Sequence, residues 1–219
     1  MASAIEQQTH ALGPGRSVRL RPHTTDQAVW SDTFVGLYHV PPETMPVPLR
    51  VLDVGANIGL TAAHYAAMWP EADIVAVEMD ALNAEWAEQN FAGRVIWAAC
   101  AGDDGFRTYS SLDGEWAYRI QEGGDVQVPS RRLRTLIDSA FGPEAVCDFV
   151  KLDIEGAERA VFEDAHDWAP RVRFVLAELH KEMNGLEVDD AIALLQESGF
   201  AVERFEKHPQ AVFARRSPE

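Results

Sequence analysis

The chain has only two cysteines, Cys100 and Cys147, both set among hydrophobic neighbours. No disulfide framework organises it, and the two thiols read as buried groups of a cytoplasmic protein. It lacks an apolar run long enough to cross a bilayer, because charges interrupt every candidate well short of roughly 18 residues. No basic stretch followed by an apolar one opens it, so neither a secretion signal nor a membrane anchor is expected. Basic side chains are scarce: 19 Lys and Arg stand against 35 Asp and Glu, a formal net charge of −16. A field of that sign repels a phosphate backbone, and the nearest thing to a basic patch, Arg131, Arg132 and Arg134, reads as a helix start. Nucleic acid and membrane are therefore not expected partners. A small molecule is. The oligomeric state is not readable from these residues.

With 219 residues, the chain can bury one substantial core but not two ordinary domains. Residues 1–25 carry little periodic hydrophobicity and read as a mobile or loosely packed arm; 26–219 read as one domain. The spacing of Val29, Trp30, Phe34 and Leu37 predicts a short amphipathic helix, and the four prolines of 41–48 end it. Five buried strands follow, at 50–54, 74–78, 95–99, 149–153 and 172–179, alternating with helical stretches. That rhythm predicts parallel β-α units with both sheet faces covered. Residues 102–129 break the rhythm and read as a hairpin-like excursion, with Trp116, Tyr118 and Ile120 at alternating positions. Two last strands, 200–205 and 211–215, read as an antiparallel hairpin at the sheet edge.

The strongest local signal is a strand ending at Asp53, then Gly55-Ala-Asn57-Ile-Gly59, then a helix. Glycine lets a chain turn sharply and approach a ligand closely, and ligands of open α/β sheets bind at the carboxyl ends of the strands. A dinucleotide fingerprint requires glycine where Asn57 stands, and a phosphate loop requires Lys and Ser or Thr that are absent. What remains is a small uncharged cleft beside an acid. It suits a cofactor without phosphate that carries an amino-acid moiety and a sulfonium. Glu78 ends the second strand, 23 positions after Gly55, about where a ribose-binding carboxylate is expected. Asp53 is expected to pin the loop by accepting backbone N–H bonds.

A second polar group gathers on the later strands. The run Lys151-Leu-Asp153-Ile-Glu155-Gly156-Ala-Glu158 puts Lys151 and Asp153 on one strand face, and Glu178 and His180 share a face of the next. Buried charge without a use is costly, so these residues are candidates for chemistry. Asp153, Glu155, Glu178 and His180 also offer oxygen and nitrogen ligands of the kind magnesium or manganese takes. That stands as an alternative, and no metal is assigned.

Together, VLDVGANIG, VEMD, VKLDIEGAE and LAELH resemble the FkbM-type methyltransferases over roughly residues 26–215. The resemblance implies the class I methyltransferase (Rossmann-like) fold, an α/β architecture whose mostly parallel seven-stranded sheet has an antiparallel last strand. It implies S-adenosylmethionine as cofactor and, most often, O-methylation of polyketide-like, sugar or other secondary-metabolite acceptors. Asp53, Gly55, Asn57, Gly59 and Glu78 match cofactor-binding positions, and Asp80 is counted with them. Met79-Asp80 departs from the family, which usually has a proline after the acid. Asp153, Glu155, Glu158, Glu178 and His180 match polar positions around the acceptor. The expected catalytic set is His180, Asp153, Glu178 and Lys151, with His180 as general base on its reference pKa of about 6.5. An N-methyltransferase, a metal-dependent O-methyltransferase, a nicotinamide-dependent oxidoreductase and a non-catalytic binding module remain the alternatives. The acceptor pocket is expected from residues 26–48 and 103–128, through Trp30, Phe34, Tyr38, Tyr109, Trp116 and Tyr118.

Overall fold

Apolar side chains on both faces of short strands can be buried only if helices cover the sheet on both sides. The computed structural model, which describes residues 8–12, 16–110 and 123–217, has that arrangement. A small antiparallel pair comes first, β1 (Gln8–Ala11) with β2 (Ser17–Leu20). Helix α1 (Asp26–Ser31) then runs into a π-type turn, Asp32–Gly36. The repeating units begin with β3 (Arg50–Val54), α2 (Leu60–Met68), β4 (Asp73–Glu78), α3 (Ala81–Asn90) and β5 (Arg94–Trp97). A side sheet follows, made from β6 (Ala99–Cys100), β7 (Gly105–Tyr109) and β8 (Val126–Arg131). The chain returns to the main sheet through α4 (Leu133–Phe141), β9 (Cys147–Leu152), α5 (Glu158–Glu163), α6 (Ala165–Trp168) and β10 (Val172–Glu178). It finishes with α7 (Lys181–Asn184), α8 (Val188–Glu197), β11 (Phe200–Arg204) and β12 (Ala211–Arg216).

The main sheet has seven strands in the order β5-β4-β3-β9-β10-β12-β11. Strands β5 through β10 of that order pair in parallel, and β12 is antiparallel to both its neighbours. The expected α/β architecture is thus present. The terminal hairpin lies at the sheet edge as expected, with β12 inserted between β10 and β11. The chain progresses one way from β3 and the other way from β9, so a crevice opens where these two strands end.

Strand periodicity divides the core into two layers. Leu52, Val54, Val150 and Leu152 face α4, α5, α6 and α8 through Leu136, Phe162, Trp168 and Leu195. Val51, Ala76, Phe149 and Leu176 face the other way, toward α2 and the first hairpin. Residues 17–20, expected from the sequence to lie in a loose arm, bury Val18 and Leu20 in this second layer. The backbone of Arg19 is held by the Asn90 side chain of α3. Residues 1–7 and 13–15 lie outside the described residues. So do Trp116, Tyr118 and Ile120; the antiparallel strands described in the excursion are β7 and β8.

Candidate active site

Beyond β3 the backbone turns through Gly55, Asn57 and Gly59, whose φ angles are +79°, +50° and +80°. Asparagine is among the few side chains that tolerate this region. The glycines answer to protein rather than ligand. A Cβ on Gly55 would lie 1.6 Å from the Asp153 carbonyl oxygen, and one on Gly59 would lie 2.9 Å from Ala87 Cα. Gly55 therefore seats the loop against the end of β9, and Gly59 lets α2 meet α3. Gly55 and Asn57, with Ala56 and Ile58, are on the wall of the cleft, and Gly59 is not.

That cleft encloses about 660 Å³ at the carboxyl ends of β3, β4, β9 and β10. Glu78 lies on its wall and is almost wholly buried. Its Oε2 accepts from the Asn57 backbone N–H at 2.7 Å and its Oε1 from that of Asp80 at 2.8 Å. Burial pushes the Glu78 carboxyl up to about 7 despite those bonds. Asp80 stands off the wall. Its Oδ1 caps α3 by accepting from Asn83 N–H, and its Oδ2 accepts from the Tyr109 hydroxyl at 2.9 Å. The cofactor-contact expectation for Asp80 is thus replaced by a capping role, because a helix start needs an acceptor there.

Asp53 and Lys151 are direct register partners on β3 and β9. Asp53 is fully buried, and neither of its carboxylate oxygens has hydrogen-bond geometry to a protein donor among the described residues. Among the described residues no N–H of the loop itself reaches it; the backbone group that favours its charge is the Ala62 N–H of α2, and it lies behind the cleft wall. Burial raises its pKa to about 6, against the pull of Lys151, whose Nζ is 3.7 Å from Oδ1. Lys151 Nζ donates to Asp153 Oδ2 at 3.1 Å and to the Gly55 carbonyl at 3.3 Å. Burial opposes its charge, yet Asp153 and Asp53 hold its pKa above the usual lysine value. One ammonium thus ties the loop after β3 to Asp53 of β3 and Asp153 after β9.

His180 joins four carboxylates. Its Nδ1 is 2.6 Å from Glu158 Oε1, while Nε2 faces Glu155, Asp153 and Glu178 at 3.5, 3.6 and 3.8 Å. Burial would lower its pKa, but the bond from Glu158 and the charges of Asp153 and Glu155 raise it to about 9. The reference value used to cast His180 as a base does not apply here: at neutral pH the ring keeps its proton. Glu178 has the complementary character, since burial and then Asp153 push it up to about 7. Glu155 rises to about 7 as well, chiefly by burial. Asp153, Glu155 and His180 also bring one ligand-type atom each to within 4.8 Å of the others.

The part of the cleft beside β10 is walled by Tyr38, Met183, Lys207 and His208. Lys207 Nζ donates to the Val40 carbonyl at 3.1 Å, and the His208 and Tyr38 ring centroids are 6.3 Å apart, so the β11–β12 turn leans on the segment before β3. Of the six aromatics expected around the acceptor, Tyr38 lines the cleft. Trp30 and Phe34 line a separate shallow hollow with His64, and Tyr109 is committed to Asp80. His208, 3.5 Å from Glu178 through Nε2, carried no local sequence signal; only the strand order brings its turn to β10.

No curated protein matches the chain by sequence. Solved structures share its fold. An O-methyltransferase family protein from Burkholderia thailandensis aligns over 88% of the chain with 11% identity and a TM-score of 0.53. A protein described as an O-methyltransferase, from Nostoc punctiforme PCC 73102, aligns over 87% with 14% identity and a TM-score of 0.51. The chain spans 58% of each of those proteins. The family model for the methyltransferase FkbM domain matches residues 53–202, from Asp53 of β3 into β11 and through every polar group of the cleft except Lys207, His208 and the segment before β3. This chain is an enzyme of the FkbM methyltransferase family.

Proposed function

We propose that the enzyme binds S-adenosylmethionine at the ends of β3 and β4 and methylates a hydroxyl oxygen of a small-molecule acceptor lying toward β9 and β10. The observation that carries the reading is the pairing of Glu78 with Asn57 on the cleft wall. Backbone N–H groups of Asn57, Asp80 and Met79 orient the Glu78 carboxylate, and its remaining acceptor capacity suits the vicinal hydroxyls of a ribose. Asn57 Oδ1 is buried without a hydrogen-bond partner among the described residues, ready for a ligand donor. The loop carries no cation for a phosphate. These features fit a nucleoside that lacks one.

When bound, S-adenosylmethionine would supply a sulfonium methyl group for attack by a hydroxyl oxygen, with S-adenosylhomocysteine leaving as the thioether. The chain's part is alignment and proton handling. Glu178, on the cleft wall with a pKa near 7, takes the hydroxyl proton. His180, as imidazolium, balances the charge of Asp153, Glu155 and Glu178. Lys151 holds Asp153 and the Gly55 carbonyl in register. Tyr38, Met183 and His208 give the acceptor side a mixed apolar and polar surface, in keeping with a secondary-metabolite or sugar acceptor.

The test is methyl transfer from labelled S-adenosylmethionine to a panel of hydroxyl and amine compounds, with products identified by mass spectrometry. Labelled methyl ethers are the expected products. Transfer to amines alone would replace this reading with N-methylation.

A further inference from the structure

Glu158 is the first residue of α5 and is fully buried. In sequence it looks like an ordinary acid at a helix start, where solvent and dipole satisfy it. Here solvent is excluded, and each carboxylate oxygen is taken. Oε1 faces His180 Nδ1 at 2.6 Å and also accepts from the Gly156 N–H at 3.2 Å. Oε2 accepts from the Asn184 side-chain amide. Asn184 is fixed in turn, its Oδ1 accepting from the Leu186 N–H at 2.8 Å. Arg159, the next residue of α5, donates to the carbonyls of Asn184 and Gly185. The segment that follows His180 is thus stitched to α5 through Asn184 and Gly185.

An ionised carboxylate only accepts, so the imidazole nitrogen against it must carry hydrogen. The 2.6 Å contact therefore places the hydrogen on Nδ1, and Nε2 is the atom left for the cleft. Glu158 itself is not part of the cleft wall. We propose that Glu158 is the positioning residue of this site: it holds the Nδ1–H of His180 and thereby aims Nε2 at Asp153, Glu155 and Glu178. The charged groups around the ring come from every packed element: Asp153 and Glu155 after β9, Glu158 on α5, Glu178 on β10 and His208 in the β11–β12 turn. Glu158 alone meets Nδ1; the other three acids face Nε2.

The role rests on the proposed function only for its effect on turnover, and the ring can be watched directly. The full chain, labelled with ¹⁵N-histidine, is studied near pH 7 by long-range proton–nitrogen NMR, with His180→Gln identifying the signals. Wild-type His180 is expected to show a protonated Nδ1 whose hydrogen resonates at low field. Glu158→Gln removes that low-field signal and lowers the ring's titration midpoint by about one pH unit or more. Turnover, read on any hydroxyl compound from the panel that is methylated, falls about tenfold or more, with S-adenosylhomocysteine affinity unmoved. A wild-type ring protonated only on Nε2 overturns the proposal without any variant, as does a Glu158→Gln ring that keeps the wild-type signals and midpoint. Titrating the same wild-type sample with S-adenosylhomocysteine separates the two readings: failure to bind defeats the cofactor assignment, while the His180 signals still decide the role of Glu158.

Discussion

Asn57 donates its backbone N–H to Glu78 Oε2 at 2.7 Å, joining the turn after β3 to the end of β4. The bond fixes the carboxylate beside Asn57, whose Oδ1 is buried and has no hydrogen-bond partner among the described residues. Its geometry depends on the turn staying where Gly55 puts it.

Gly55→Ala should therefore be severe. The added methyl would fall on the Asp153 carbonyl at a backbone angle unfavourable to alanine. A loss of about 2–5 kcal/mol is expected, combining left-handed strain with overpacking. Urea titration measures it, and a midpoint equal to wild type would mean that the loop does not press on β9.

The strand succession, the loop, and the grouping of Lys151, Asp153, Glu178 and His180 were all legible in the sequence, because each follows from local periodicity or from residues within one strand-to-helix turn. Contacts between distant segments were not. The reason for Gly55 is a carbonyl 98 residues away along the chain. Glu158 has no local mark of burial, since its partner His180 belongs to the next strand end. The pKa of His180 escaped for the same reason: reference values describe a ring in water, and this ring has four acids around it.

Lys151 is the only cation within 4 Å of buried Asp53 among the described residues. Lys151→Met should destabilise the protein by about 3–5 kcal/mol, because a buried carboxylate loses its counter-charge. Adding Asp53→Asn should restore part of that loss. Additive losses in the double variant, measured by denaturant titration, would show that the pair does not interact.

The folded-state pKa of His180, about 9, lies above its ordinary 6.5. The folded protein then binds more protons than the unfolded chain between those values, so the stability His180 contributes is complete below pH 6.5 and lost as pH rises through 9. The stability difference between wild type and His180→Gln should shrink from pH 6 to pH 10. A difference that is constant or growing over this range would contradict the charged ring.

With an imidazolium already balancing the acids, methyl transfer should survive prolonged chelation by EDTA. Loss of activity restored by magnesium or manganese would instead give Asp153, Glu155 and His180 a cation to hold.

The most direct test of the central claim is calorimetric titration of wild type and Glu78→Ala with S-adenosylhomocysteine. Two hydrogen bonds to the ribose, each contributing about 1 kcal/mol, disappear in the variant, so affinity should fall by a factor of about 10 to 100 while the fold is retained. Equal affinity in the two proteins, or no binding to wild type, would contradict the assignment of this cleft to the cofactor.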